Sequence, residues 1–295
     1  MTMAARGGNG PTPLPENRRT LWQAFLERFG RTVIPAITRV RVEGLENIPA
    51  QGSLIVATNH CSNADGVFVA CWIRPRLTRP IHFLAKEEAM QRAVVGWFLR
   101  SQTAFGVKRT ATDIEAFRVA ARILTDGNRV LGGFPEGTRS PDGRLQQGRD
   151  GMTMMALKTG AAILPIGISG TERFWPKGSY PRPGGHVTMR VGKPFTLAEV
   201  LAEASEAAPT EAAPTRTIEP NAKSPEPGAT SSERGAAPAE RAPARVSGRH
   251  RNLDAGTEEI MTRIAILLPE WQRGFYTEQA RARIEREKAR RTKVG

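Results

Sequence analysis

From about residue 42 onward, short runs rich in β-branched residues alternate with longer stretches of helical periodicity. Residues 53–58, "SLIVAT", read as a buried strand, and 65–74, "DGVFVACWIR", as a helix that stops before Pro75. Residues 81–85 read as the next strand, 86–101 as a helix and 104–108 as a short strand. Over 112–126, "TDIEAFRVAARILTD", the positions Ile114, Phe117, Val119, Ala121 and Leu124 mark a helix that Gly127 ends. A strand at 129–134, a helix at 149–159, a strand at 162–168 interrupted by Pro165, and a strand at 186–192 complete the series. Strands and helices of these lengths in alternation predict an α/β fold: a single domain with a mostly parallel central sheet flanked by helices. Ligands of such sheets sit beyond the carboxyl ends of the strands.

The flanking segments follow other patterns. In 20–39, Leu21, Trp22, Phe25, Leu26, Phe29, Val33 and Ile37 recur at spacings of three and four, with Arg18, Arg19, Arg28, Arg31 and Arg39 between or beside them. This is an amphipathic helix that Pro35 kinks or ends. It fits a helix lying in a membrane interface and equally a helix packed on the body. Apart from alanine, residues 202–252 hold Ile218 and Val246 as their aliphatic or aromatic residues, with seven prolines. Such a stretch buries too little to offset its ordering entropy, and it reads as a disordered insertion. Helical periodicity resumes through Ile260, Ile264 and Leu267 or Leu268. The expected organisation is a disordered N-terminus over 1–17, an amphipathic helix over 18–41, the α/β domain over 42–201 and the insertion over 202–252. A C-terminal helix of the same domain over 253–280 and a basic tail over 281–295 follow.

Composition narrows the function classes. The chain has 295 residues, 39% of them hydrophobic, which is room for a core with part of the chain outside it. Its two cysteines, Cys61 and Cys71, make neither a C-x-x-C pair nor a disulfide framework, which argues against a stapled secreted scaffold and a zinc finger. No run of about 18 apolar residues reads as a membrane span, and the N-terminus lacks the apolar core of a signal peptide. The net charge of +14 is concentrated at the ends: residues 1–41 and 281–295 each carry seven basic and two acidic groups. Two basic ends on a nearly balanced body fit an anionic bilayer as readily as a nucleic acid.

Two segments carry the candidate chemistry. "NHCSNAD", Asn59 to Asp65, lies where the first buried strand gives way to a helix. Across such a turn the Asp65 carboxylate can fold back on His60, fix its tautomer and leave the other nitrogen to take a proton from a hydroxyl. Cys61 beside it is better read as a buried inert thiol than as a nucleophile. His82, His186 and His250 stand singly, without the companions a metal site needs. "FPEGTRS", Phe134 to Ser140, also follows a strand. Gly137 permits close backbone approach, Thr138 and Ser140 offer hydroxyls, and Arg139 offers a two-pronged donor suited to phosphate. The same segment equally reads as a turn in which Glu136 and Arg139 pair with each other or with the sheet. Lys108 and Arg109, after the short strand, are placed to converge on the same anion or to face solvent.

In order, "NHCSNAD", "FLAKEE", "TAFGVKRT", "FPEGTRSPDG" and "ILPIGISGT" resemble the successive blocks of the glycerolipid acyltransferase family, which includes the 1-acylglycerol-3-phosphate acyltransferases. The similarity covers about residues 42–195, roughly half the chain. One departure is visible: the glycine that usually opens the second block is Thr103 here.

The resemblance implies a glycerol-3-phosphate acyltransferase-like fold. It also implies transfer of a fatty acyl group, from acyl-CoA or acyl carrier protein as co-substrate, to the sn-2 hydroxyl of 1-acylglycerol-3-phosphate. The product would be phosphatidic acid, made in phospholipid biosynthesis without cofactor or metal. Carried over by position, His60 is the general base, Asp65 its orienting carboxylate, and Arg109, Glu136, Gly137, Thr138 and Arg139 hold the acceptor's phosphate. Pro165 matches the fourth block. The expected setting is the cytoplasmic face of the cell membrane, in peripheral contact with membrane lipids and the lysophospholipid. Competing readings are the same chemistry on glycerol 3-phosphate, another lysophospholipid or a lyso-aminolipid, and a non-catalytic module that binds anionic lipids. Nucleic acid is not an expected partner, because Glu285 and Glu287 interrupt the basic tail at helical spacing.

Overall fold

The computed structural model describes residues 16, 18–107, 114–176, 178–207 and 248–294. Helix α1 (Leu21–Ile37) opens on a reciprocal cap: the Gln23 N–H donates to the Thr20 side chain, and the Thr20 N–H donates to Gln23 Oε1 at 3.1 Å. The helix runs through Pro35, which lies in its last turn, and stops at Ile37. Strand β1 (Arg39–Glu43) follows immediately, so the helix expected as far as residue 41 is shorter than that expectation. "RVRVE" alternates like a strand and finds a parallel partner along its whole length.

The fully buried β2 (Leu54–Thr58) leads through a turn into α2 (Asp65–Phe68). The segment continues as a wider π-type turn over Val69–Ile73 and a tight 3₁₀ turn over Arg74–Arg76, rather than as one regular helix. Beyond β3 (Ile81–Lys86), the expected single helix is two, α3 (Glu87–Gln91) and α4 (Ala93–Ser101), divided at Arg92, whose backbone is extended. There follow β4 (Phe105–Val107), α5 (Ile114–Thr125), β5 (Val130–Gly133), α6 (Gly151–Thr159), β6 (Ala162–Ser169), α7 (Thr171–Phe174), β7 (His186–Val191) and α8 (Leu197–Ala207). The described chain closes with α9 (Gly248–Ala265) and α10 (Thr277–Val294). Helices α8 and α9 thus extend into both ends of the stretch read as an insertion, and 208–247 lie outside the described residues.

Among the described residues, seven strands form one sheet in the order β1-β7-β6-β2-β5-β3-β4. All neighbours are parallel except β6 and β7, so β1 and β7 form a reversed pair on a parallel body. Pro165 does not interrupt β6. It pairs with Ala57 of β2, and on the other side it falls between the β7 ladder, which begins at Ile166, and a lone bridge from Ile163 to Phe195. The missing N–H therefore sits in a gap in the pairing, which is how a central strand tolerates proline.

Each face of the sheet has its own core. On one, Ile55, Leu131 and Ile163 pack with Ile123 of α5 and with Ile260 and Ile264 of α9. On the other, Val56, Leu164 and Ile168 pack with Phe68 and Ile73 of the 65–76 segment and with Ile34 of α1. The stretch read as a basic tail is most of α10. Arg283 donates to both carboxylate oxygens of Glu259 on α9 at 2.7 Å, and Lys288 pairs with Glu285 at 2.8 Å. Glu259 thus ties α10 to the body through Arg283, and the interleaved Glu285 and Glu287 pair with Lys288 and Arg283 along the helix.

Candidate active site

The central strand β2 ends at Thr58, and the next two residues start the site. Asn59 prolongs the pairing with β6 through its side chain: Nδ2 donates to the Ile168 carbonyl at 2.8 Å, and Oδ1 accepts from the Ile168 N–H at 2.7 Å. This fixes where His60 leaves the sheet. His60 Nδ1 donates to Asp65 Oδ2 at 2.9 Å, and the same oxygen accepts the N–H groups of Cys61 and Ser62, each at 2.8 Å. The other oxygen, Oδ1, accepts from the Thr171 hydroxyl at 2.6 Å. Asp65 is completely buried, while the His60 side chain keeps 20% exposure. The carboxylate therefore ties the strand-to-helix turn and aims the imidazole in one act, and the second ring nitrogen is left for chemistry. The ring also lies flat on Phe134, centroids 3.7 Å apart and planes 14° apart, which restricts it to one plane.

The third block holds His60 by its backbone. The His60 N–H donates to Glu136 Oε1 at 2.6 Å, and the His60 carbonyl accepts from the Ser140 N–H at 2.7 Å. Glu136 Oε2 accepts the N–H of Gln146 at 2.9 Å and its side-chain amide at 3.3 Å. Glu136 is buried, and burial pushes its carboxyl up to about 7 against the hydrogen bonds that favour its charge. The expectation that Glu136 helps hold a phosphate is corrected by this geometry. Both oxygens are engaged inside the protein, and a carboxylate facing a phosphate would repel it. Nor does Glu136 pair with Arg139.

Arg139 reaches instead across to the first block, where its Nη1 donates to the Asn63 side chain. Asn63 is exposed, so the guanidinium stands on the surface beside the His60 turn. Gly137 has a φ of +68° and closes the turn through its N–H to the Phe134 carbonyl at 2.9 Å. A Cβ there would stand 2.8 Å from Arg149 Cδ, so glycine meets both the turn and the crowding. Thr138 is half-buried beside it, its carbonyl 3.4 Å from the Gln146 amide. Lys108 and Arg109 lie outside the described residues.

Thr103, in the place where the resemblance expects glycine, has a φ of +59°. A β-branched residue is strained in that region, and its hydroxyl donates to the Ile81 carbonyl at 2.8 Å. Cys61 is buried, with Sγ 3.3 Å from the Thr171 hydroxyl, and burial together with Asp65 raises its thiol far above the usual range. That leaves it protonated and inert. His82 is buried in β3, and His186 contacts Arg39 at 3.1 Å. Among the described residues, no three His, Cys, Asp or Glu side chains group as metal ligands.

Beside His60 lies an apolar cavity of about 440 Å³. Its walls come from α1, the 65–76 segment, β3 and α4, and His60, Asn63 and Phe134 also line it. The first three turns of helix α1 are built inside out: Gln23 and Glu27 are buried, whereas Leu21, Phe25 and Phe29 are 91%, 56% and 55% exposed, and Ile34 alone of its last turns reaches the core. With Trp22 stacked on Phe25 and touching Trp97 of α4, ring centroids 5.6 and 5.9 Å apart, these residues make one continuous apolar surface. Phe29 and Phe98 belong both to this surface and to the cavity wall, so the cavity opens onto it. No helix among the described residues is long and apolar enough to cross a membrane.

Sequence reasoning missed Thr171, Gln146 and the stacking of Phe134, and it read Ser140 for its hydroxyl, whereas the structure uses its N–H. All four lie in or next to the recognised blocks, but their roles depend on contacts between blocks.

Fold and site together define an α/β protein with a histidine–aspartate dyad at the carboxyl edge of a parallel sheet, opening on an apolar cavity. The model of the family described as "Acyltransferase" matches residues 39–169. The 1-acyl-sn-glycerophosphate acyltransferase PlsC of Thermotoga maritima shares the fold with a TM-score of 0.51 and 30% identity, over 62% of this chain and 76% of that one. This chain belongs to the acyltransferase family. Among curated relatives, the chloroplastic 1-acyl-sn-glycerol-3-phosphate acyltransferase LPAT1 of Arabidopsis thaliana is 30% identical over 55% of this chain and 46% of its own length. The 1-acyl-sn-glycerol-3-phosphate acyltransferase of Bacillus subtilis is 29% identical over 54% of this chain and 75% of its own. The chain spans about half the length of the plant relatives it matches, 46% and 49% for two of them.

Proposed function

We propose that this protein transfers a fatty acyl group from a thioester, on coenzyme A or acyl carrier protein, to the sn-2 hydroxyl of 1-acylglycerol-3-phosphate, yielding phosphatidic acid. The observation that carries the reading is the junction of His60, held through Nδ1 by a buried carboxylate, with an apolar cavity lined also by Asn63, the partner of Arg139. The relatives' activity supports the same acceptor.

In this mechanism the acceptor's phosphate docks on Arg139 with the neighbouring Thr138 hydroxyl, and Arg109 is the second cation carried over from the family. Docking converts binding into orientation and brings the free hydroxyl to His60. His60 Nε2 takes the hydroxyl proton as the oxygen attacks the thioester carbonyl, and Asp65 stabilises the imidazolium that forms. The tetrahedral intermediate collapses with cleavage of the carbon–sulfur bond, and the departing thiolate recovers the proton from His60. Atoms and charge balance without a further reactant.

The inverted helix supports an interfacial location, which we place on the cytoplasmic face of the membrane. A helix that buries Glu27 and exposes Phe25 is costly in water and favoured where the apolar surface meets lipid. Arg28 and Arg31, both exposed on the same helix, suit anionic headgroups.

The test is an assay of the purified protein with labelled acyl-CoA and acyl carrier protein thioesters and a panel of acceptors, read by lipid chromatography. Labelled phosphatidic acid from 1-acylglycerol-3-phosphate supports the reading. Acylation of a lyso-aminolipid or glycerol 3-phosphate instead would reassign the acceptor. Liposome binding without any transfer would leave only the anionic-lipid module.

A further inference from the structure

The cavity beside His60 ends on charge. Gly66, Val67, Ala70, Cys71 and Arg74 succeed one another along its wall, so the cavity follows the 65–76 segment away from the imidazole. At its far end Arg74 is completely buried. Arg74 Nη2 donates to Gln102 Oε1 at 2.8 Å, and Nε lies 3.4 Å from Glu27 Oε1 as an ion pair without a hydrogen bond. Glu27 spends its other oxygen on Arg19. Besides Arg19 Nε, three atoms where Arg74 and Glu27 meet are left buried without a hydrogen-bond partner: Arg74 Nη1, Arg74 Nε and Glu27 Oε1. Glu27, Arg74 and Gln102 all line the cavity.

Buried donors and acceptors are rarely left unmatched, and an unadorned hydrocarbon chain offers them nothing. An unspent donor next to an unspent acceptor is the complement of a hydroxyl, which both donates and accepts. Resting on the acyl-transfer reading above, we infer that this cavity selects acyl chains carrying a distal hydroxyl, which donates to Glu27 Oε1 and accepts from Arg74 Nη1. Gly66 and Arg74 stand eight steps apart along this mixed helical segment, which at a mean rise of roughly 1.3–1.5 Å per step spans about 10–12 Å. A methylene advances about 1.3 Å along a chain of ~1.5 Å bonds, so the hydroxyl belongs roughly ten carbons from the thioester. A β-hydroxyl, next to His60, would not reach the cluster.

The test is competition between unsubstituted dodecanoyl thioester and the isomers hydroxylated at each carbon from six to twelve, each presented on coenzyme A and on acyl carrier protein. The expected result is a kcat/KM preference of about ten- to hundredfold for a hydroxyl near carbon ten, fading on either side. Arg74→Met and Glu27→Gln are expected to bring that ratio to about one or below, whatever the absolute rates. A flat positional profile in the unaltered protein would overturn the inference while leaving acyl transfer standing, and this profile decides even where a variant does not fold. A preference that survives Arg74→Met would also overturn it. Transfer from no thioester at all would remove the acyl-transfer reading and this inference with it.

Discussion

Replacing Glu136 by glutamine tests whether a buried carboxylate, rather than a phosphate ligand, underlies the His60 turn. In the native protein one Glu136 oxygen takes the His60 N–H at 2.6 Å and the other takes the Gln146 N–H at 2.9 Å. An amide can serve only one of the two, and its NH₂ then confronts the other donor. Leaving one buried N–H unmatched costs about 1–3 kcal/mol. The pH dependence is the sharper readout. Burial raises the Glu136 carboxyl from 4.5 in the open chain to about 7 in the fold. Between those values the folded protein binds the proton that the unfolded chain has lost, so stability is highest at the acid end and falls as pH rises through 7. At ~1.36 kcal/mol per unit, the wild type loses on the order of 3 kcal/mol across that window, and Glu136→Gln, which cannot titrate, does not. Urea denaturation of both proteins from pH 5 to 8 should therefore show the wild type's advantage shrinking steadily with pH. A difference between them that stays constant over this range would refute the reasoning.

Other outcomes follow from the same geometry. Arg139→Ala should raise the apparent KM for a phosphate-bearing acceptor about tenfold or more, with a smaller effect on kcat, since it removes a charged anchor and no reacting group; steady-state kinetics against acceptor concentration check this. Replacing both Trp22 and Phe25 by serine removes two large apolar groups from the exposed stripe of α1. Vesicle co-sedimentation should weaken by at least about tenfold, because each such side chain is worth about 1.5–3 kcal/mol when fully transferred from water, while thermal stability in detergent-free buffer should hold or rise.

The α/β alternation was legible because buried strands and the helices between them carry different periods, and His60 and Asp65 were legible as a pair because a single turn separates them. What escaped was direction. The stripe of Leu21, Trp22, Phe25 and Phe29 marks a helix, but periodicity does not say whether the stripe faces the core, and here Gln23 and Glu27 face inward instead. Glu136 stands in a block with Thr138 and Arg139, and its residue type alone does not reveal that it turns into the protein to hold the His60 amide. β1 was absorbed into the preceding helix because a five-residue alternation beside a strong helical stripe gives a weak local signal, and its partner β7 lies almost 150 residues away. Arg74 looked like a basic residue at a helix end before Pro75. Its link to Glu27 exists only once α1 has packed across the cavity.

The most direct test of the central claim is acyl transfer by purified His60→Ala, compared with the parent at saturating thioester and 1-acylglycerol-3-phosphate, with circular dichroism confirming the fold. Removal of the general base should lower kcat by about 10²–10⁴-fold with little change in thermal midpoint. Transfer at the parental rate would contradict the account, because the proton would then be leaving the hydroxyl without that imidazole.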